Sequence, residues 1–211
     1  MEILAHRGSV SEGIHENTME AFERAKTLGA DGIETDVRMT KDNELILFHD
    51  HSIGKKATRQ LTLKQMKSRL GYKPTVLNDL LNWADNDFIL NLEIKEHDIV
   101  AAVYEELKRF TRKNIVISSF HHPASFKLAK AAKAKCALLM PVRPVYIKPF
   151  LQLIPADLEY IVWDYGIYDI EFKVQLLNFK HLVYGMGELR PKKKDFVDGI
   201  ISDHLDIHIR R

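Results

Sequence analysis

The run from Gly32 to Asp50 (GIETDVRMTKDNELILFHD) gathers the residue types that metal-assisted acid–base chemistry needs. On an extended segment Glu34 and Asp36 are two apart, so both carboxylates point to one face. Asp42-Asn43 is a turn signal, because both residues tolerate left-handed backbone. The apolar run Leu45 to Phe48 then reads as a returning strand. A hairpin centred between Asp42 and Asn43 sets His49 directly across from Asp36, whereas a loop with an odd number of residues changes that register. Two carboxylates and an imidazole at one spot form a candidate metal site with an acid or base beside it.

The elements that must position these groups alternate along the chain. Short apolar strands are expected at Ile3–His6, Gly32–Asp36, Phe88–Lys95, Asn114–Phe120, Ala137–Met140, Tyr160–Trp163, His181–Tyr184 and Asp198–Asp203. Amphipathic helices lie between most of them. The first has Asn17 as its expected N-cap with Glu20 three residues on, and Gly29 as its stop. A small accessory helix is expected around Leu61–Met66, and another runs from Thr75 or Asn78 to Trp83. Helices are also expected over Asp98–Phe110 and Ala124–Lys133. Pro141, Pro144, Pro149 and Pro155 make the helix after strand five short or broken. Eight strands alternating with helices imply an α/β protein of the (β/α)₈ barrel type, with a small hairpin insertion after strand two.

In such a barrel function sits at the C-terminal strand ends. Those ends read His6-Arg7, Glu34 and Asp36, Glu93 and Lys95, Phe120, Trp163, and Asp203. Glu34, Asp36 and Glu93 are hard oxygen ligands suited to one divalent cation, Mg²⁺ or Ca²⁺. Three clustered carboxylates are costly to desolvate without one. His6 and His49 are the expected general acid and base. Arg7 offers a planar fork to phosphate oxygens and Lys95 a point charge; structural pairing with Glu34 or Glu93 is compatible with that role. Phe120 and Trp163 are placed as pocket-lining residues, although an aromatic at a strand end more often packs into the core. His51 completes a short His-Asp-His tripeptide that is easily met by chance. His121, His122 and His204 are expected on loops without function, and Lys192-Lys193-Lys194 on a solvated loop. One metal, two cations and two histidines suit hydrolysis of a phosphate diester.

Composition bounds the partners. With 211 residues, 45% hydrophobic and 28% charged, the expectation is a single soluble domain over residues 1–211. A net charge of +2 gives no argument for nucleic acid. Cys136 is the only cysteine, which fits a reducing compartment. The early first strand leaves no room for a signal peptide, and no apolar run reaches membrane-span length, so a cytoplasmic location without stable membrane insertion is expected. A homodimer is compatible with the sequence.

Ala5-His6-Arg7-Gly8, Glu16-Asn17-Thr18, Glu34-Thr35-Asp36-Val37, Thr40-Lys41-Asp42, Phe48-His49-Asp50 and Glu93-Ile94-Lys95 occur in an order that resembles the glycerophosphodiester phosphodiesterase family. The resemblance implies a (β/α)₈ barrel that hydrolyses small glycerophosphodiesters to an alcohol and sn-glycerol 3-phosphate. It implies metal ligation at Glu34, Asp36 and Glu93, acid–base work at His6 and His49, and phosphate binding at Arg7 and Lys95. The chain departs from the family's pattern at His15, where proline is usual. It departs again at Tyr184-Gly185-Met186-Gly187, where a Trp-Thr-Val-Asn-like run is common, which bears on the substrate more than on the reaction. The other readings of the same residues are a phospholipase of this superfamily acting on lyso- or inositol phospholipids, and a barrel that binds phosphate ligands without turnover. Neither a hydrophobic rim nor the loss of a histidine or carboxylate supports them.

Overall fold

In a computed structural model the period-two alternation of apolar residues becomes eight parallel strands closed on themselves. The structure describes residues 1–111, 113–140, 158–190, 192 and 196–209. The barrel strands are β1 (Glu2–His6), β2 (Gly32–Met39), β6 (Ile89–Ile94), β7 (Ile115–Ser119), β8 (Lys135–Met140), β9 (Tyr160–Asp164), β10 (Lys180–Tyr184) and β11 (Gly199–Ser202). Each pairs in parallel with its neighbours, and the β1–β2 ladder closes the ring. The expected strands are all present within a residue or two, except that β2 continues to Met39. The proline-punctuated stretch after strand five falls within 141–157, outside the described residues, as do Lys193 and Lys194 of the lysine run.

Two apolar sets follow from the alternation. Residues such as Ile33, Leu92 and Val183 face outward and pack under helices α1 (Met19–Leu28), α3 (Leu77–Trp83), α4 (Val100–Leu107) and α5 (His122–Ala132). Leu4, Ile89, Val116, Leu139, Val162 and Ile201 face inward and fill the barrel. Gly32 is required where β2 meets β6, because a Cβ there would stand 2.2 Å from the Ile89 carbonyl oxygen. The short helix α6 (Ile170–Gln175) follows β9, and the single turn α7 (Leu205–His208) follows β11. No helix among the described residues is long and apolar enough to cross a membrane.

The hairpin after β2 corrects one expectation. β2 pairs with β3 (Leu45–Leu47) in the register Val37↔Leu47, Arg38↔Ile46 and Met39↔Leu45, one residue off a turn centred between Asp42 and Asn43. The loop is odd because Thr40 opens it by donating its hydroxyl to Asp42 Oδ1 (2.6 Å), while Asn43 takes left-handed backbone at φ 64°. Phe48, not His49, therefore lies across from Asp36, its N–H bonding the Asp36 carbonyl at 2.9 Å. A small subdomain follows: the ribbon β4 (Ser52–Ile53) and β5 (Lys56–Ala57), then α2 (Leu63–Leu70). Thr62 caps α2 in a full capping box with Gln65, and Ile46, Phe48, Leu61 and Met66 bury a core of their own.

Candidate active site

At the C-terminal mouth of the barrel the register brings the acidic residues together. His6 pairs with Glu34 across β1–β2, and Asp36 pairs with Glu93 across β2–β6. All four side chains fall on the inward parity, so one oxygen each from Glu34, Asp36 and Glu93 lies within 4.8 Å of the others. Glu34 is 5% exposed and Asp36 1%. Burial, and then the neighbouring Asp36 charge, push Glu34 up to about 8. Its Oε2 atom is buried with no hydrogen-bond partner. An orphaned oxygen in an all-oxygen, acid-rich cluster fits a hard divalent cation, which would favour the charged form of Glu34.

Two cations flank the cluster. Lys95 Nζ lies 2.7 Å from Glu93 Oε1 and 3.2 Å from Asp36 Oδ1. Burial opposes its charge but is outweighed by these carboxylates, so its pKa is raised. Arg7 Nε stands 3.3 Å from Asp36 Oδ2, and its Nη1 donates to Glu16 at 3.0 Å. Burial likewise works against the Asp36 carboxylate, yet Lys95, the Asn17 amide and Arg7 together hold it below the usual range.

Each histidine is held through Nδ1. His6 Nδ1 is 2.6 Å from Asp203 Oδ1, and His49 Nδ1 is 2.9 Å from Asp50 Oδ1. Burial disfavours charge on His6, but the Asp203 bond and Glu34 outweigh it and raise its pKa. His49 reaches the rim although its register differs from expectation. Arg38, ion-paired to Glu96 at 2.7 Å, donates from Nε and Nη2 to the His49 carbonyl at 3.0 and 2.8 Å. Buried Arg38 thus pins the backbone where the chain leaves the ladder.

A cavity of about 220 Å³ opens over these groups, lined by His6, Arg7, Glu34, His49, Glu93 and Lys95 on one side. Its other wall is Ser118, Phe120, Leu139, Val162, Tyr184 and Ile201. Strands one to three supply the charge, and strands four to eight a mostly apolar wall. Phe120 stands at the mouth, 47% exposed. Trp163 does not line the cavity, which corrects its placement as a pocket residue. Tyr160, Val162 and Asp164 take the inward parity of β9, so Trp163 points outward, fully buried, its indole N–H donating to His181 Nδ1. His51 is exposed just before β4 and, among the described residues, joins no cluster of possible metal ligands.

Three contributors were not assigned from sequence. Asn17 is not the α1 cap; Thr18 is, accepting from the Ala21 N–H. Asn17 instead adopts φ 57°, accepts from Thr35 Oγ1 at 2.6 Å and donates to Asp36 Oδ2 at 3.0 Å. Glu16 anchors Arg7, and Asp203 anchors His6. Their signal was present only as the Glu16-Asn17-Thr18 motif and as the inward parity of the strand-eight end. His15, the departure from proline, stacks on Tyr72 of the subdomain at 4.3 Å between ring centroids.

A closed (β/α)₈ barrel whose C-terminal mouth joins a carboxylate cluster, two phosphate-suited cations and two anchored histidines defines the class of barrel phosphodiesterases. The chain belongs to the glycerophosphoryl diester phosphodiesterase family, whose model matches residues 6–149. It is 35% identical over 142 residues to a glycerophosphodiester phosphodiesterase of Caldanaerobacter subterraneus, covering 57% of this chain and 58% of that protein. The Bacillus subtilis protein YqiK is 33% identical over 153 residues, 62% of this chain and 63% of that one. The matched stretch thus spans less than two thirds of these relatives' length. Among solved structures, the Thermotoga maritima glycerophosphodiester phosphodiesterase superposes with a TM-score of 0.81 at 27% identity, covering 97% of this chain and 95% of that one. A phosphodiesterase of Oleispira antarctica, solved with its product sn-glycerol-3-phosphate, shares the fold at a TM-score of 0.79 and 20% identity, covering 98% and 95%.

Proposed function

We propose that the chain, acting as one domain over residues 1–211, hydrolyses small glycerophosphodiesters to an alcohol and sn-glycerol 3-phosphate. The observation that carries the reading is the convergence of Glu34, Asp36 and Glu93 within 4.8 Å, beside Arg7, Lys95 and both histidines. Family membership and the product found in the Oleispira relative support the same reaction.

Glu34, Asp36 and Glu93 would hold one divalent cation, Mg²⁺ or Ca²⁺, and a cation bound there would supply Lewis-acid chemistry to the phosphoryl group. Arg7 and Lys95 bind phosphoryl oxygens; Glu16 and Glu93 hold their side chains at that edge. One of the two imidazoles, His6 or His49, takes the proton of the nucleophile, which is water or the adjacent glycerol hydroxyl. The other gives a proton to the departing alkoxide. Phe120 and the apolar wall bound the organic end of the substrate and keep water from it.

The test is release of sn-glycerol 3-phosphate from glycerophosphocholine and glycerophosphoethanolamine with Mg²⁺, with Ca²⁺ and with EDTA. His6→Ala and Glu93→Ala are assayed alongside. Turnover abolished by EDTA and by both substitutions is the expected result. Turnover surviving all three changes rejects the site, and cleavage of lysophospholipids alone replaces the substrate.

A further inference from the structure

We propose that Asp203 is a positioning residue for this reaction: its carboxylate accepts a hydrogen bond from His6 Nδ1–H and so presents Nε2 to the cavity. The inference rests on the phosphodiesterase reading of the site. Asp203 lies 197 residues from His6 in sequence, yet the parallel β1–β11 ladder sets Ala5 beside Ser202, which makes the two strand ends neighbours. The bond is 2.6 Å long, within the short range of charge-assisted contacts. An ionised carboxylate can only accept, so the proton of this pair belongs to Nδ1. The opposite nitrogen, Nε2, then faces the cavity, 3.8 Å from Glu34 Oε2 and too far for a hydrogen bond.

Among the described residues no other side chain hydrogen-bonds the His6 ring. Without Asp203 the imidazole is free to exchange tautomers and to rotate about its side-chain torsions, and either change removes Nε2 from the reacting atoms. His49 repeats the arrangement with its own neighbour Asp50, so both rings offer the same nitrogen. The Asp203 side chain is 54% exposed, which makes its loss a question for the site rather than for folding.

Asp203→Asn is the variant to make, because asparagine keeps the shape but can also donate to Nδ1 and stabilise the wrong tautomer. The expected result is a loss of kcat of about 10²- to 10⁴-fold with KM changed by less than about threefold. Asp203→Glu should recover part of the loss. The readout beyond activity is the ¹⁵N spectrum of the His6 ring, recorded after titration to the neutral form. The wild-type protein is expected to show protonated Nδ1 and bare Nε2, and Asp203→Asn a mixture or the reverse. An unchanged tautomer, or an unchanged kcat, overturns the proposal. A wild-type protein that turns over no diester overturns the phosphodiesterase reading instead, and the ring spectrum alone then decides whether Asp203 sets the His6 tautomer.

Discussion

Single side chains at the mouth of this barrel divide into those that present a reactive atom and those that hold another group still. Asn17 is of the second kind, donating to Asp36 Oδ2 from a left-handed backbone position while Thr35 fixes its amide. Removing such a support typically weakens metal binding about 10- to 100-fold. Asn17→Ala is therefore expected to lower Mg²⁺ or Ca²⁺ affinity by that factor in a calorimetric titration, with the fold retained; unchanged affinity would remove Asn17 from the site. The two aromatics that sequence grouped together should separate cleanly. Phe120→Ala is expected to raise KM several-fold with little effect on stability, since the ring stands half exposed at the mouth. Trp163→Ala is expected to cost about 3–5 kcal/mol of stability by leaving a cavity in the outer core, while the folded fraction keeps its kcat/KM. Urea melts and steady-state kinetics on both variants measure the split.

Elements act through their spacing. β2 and β6 approach so closely at Gly32 that an added methyl would meet the Ile89 carbonyl, and these two strands carry all three candidate ligands. Gly32→Ala should destabilise the protein by about 1–3 kcal/mol or more and disturb the Asp36–Glu93 register, lowering metal affinity together with the melting temperature. Normal metal binding in that variant would show that the register tolerates the shift. The hairpin beyond β2 is a different device. Its odd loop turns Phe48 across from Asp36, and the Arg38–Glu96 pair, not the ladder, then delivers His49 to the rim.

At the scale of the whole molecule, binding at the mouth is coupled to folding everywhere else. Glu34, desolvated beside the Asp36 charge, opposes the folded state, and a cation bound in the cluster would relieve that cost. A cation at 100 times its dissociation constant adds about 2.7 kcal/mol, or about 5–10 °C in Tm for a chain of this size. EDTA and Glu34→Gln should each remove that gain in a calorimetric melt; a Tm indifferent to Mg²⁺, Ca²⁺ and EDTA would argue against the cluster as a metal site. A second global dependence comes from the opposite side of the sheet. His181 is fully buried, accepting from the Trp163 indole at Nδ1 with Nε2 at the Leu176 carbonyl, and burial pushes its pKa down to about 4. Because the unfolded value is near 6.5, the unfolded chain binds more protons between these limits. The contribution is thus complete above about pH 6.5 and falls by up to about 3 kcal/mol as pH drops to 4. His181→Gln, which can keep both bonds, should flatten the urea midpoint across that window.

The sequence by itself determined the strand–helix alternation and hence the barrel, because apolar periodicity is a local property that burial enforces residue by residue. It also placed Glu34, Asp36, Glu93, His6, Arg7 and Lys95 at strand ends, since same-face spacing follows from the two-residue repeat. Position relative to a second segment was not legible. Trp163 was assigned to the pocket although one step of parity turns it into the outer core, and the hairpin register depended on how Thr40, Asp42 and Asn43 share their hydrogen bonds. Asn17 reads locally as a helix cap and finds its real partner, Asp36, only when two strands and a loop are brought together. Asp203 meets His6 because a closed ring makes the last strand the neighbour of the first. Tertiary structure decided these matters because each depends on hydrogen bonds between segments far apart in the chain, which no local pattern encodes.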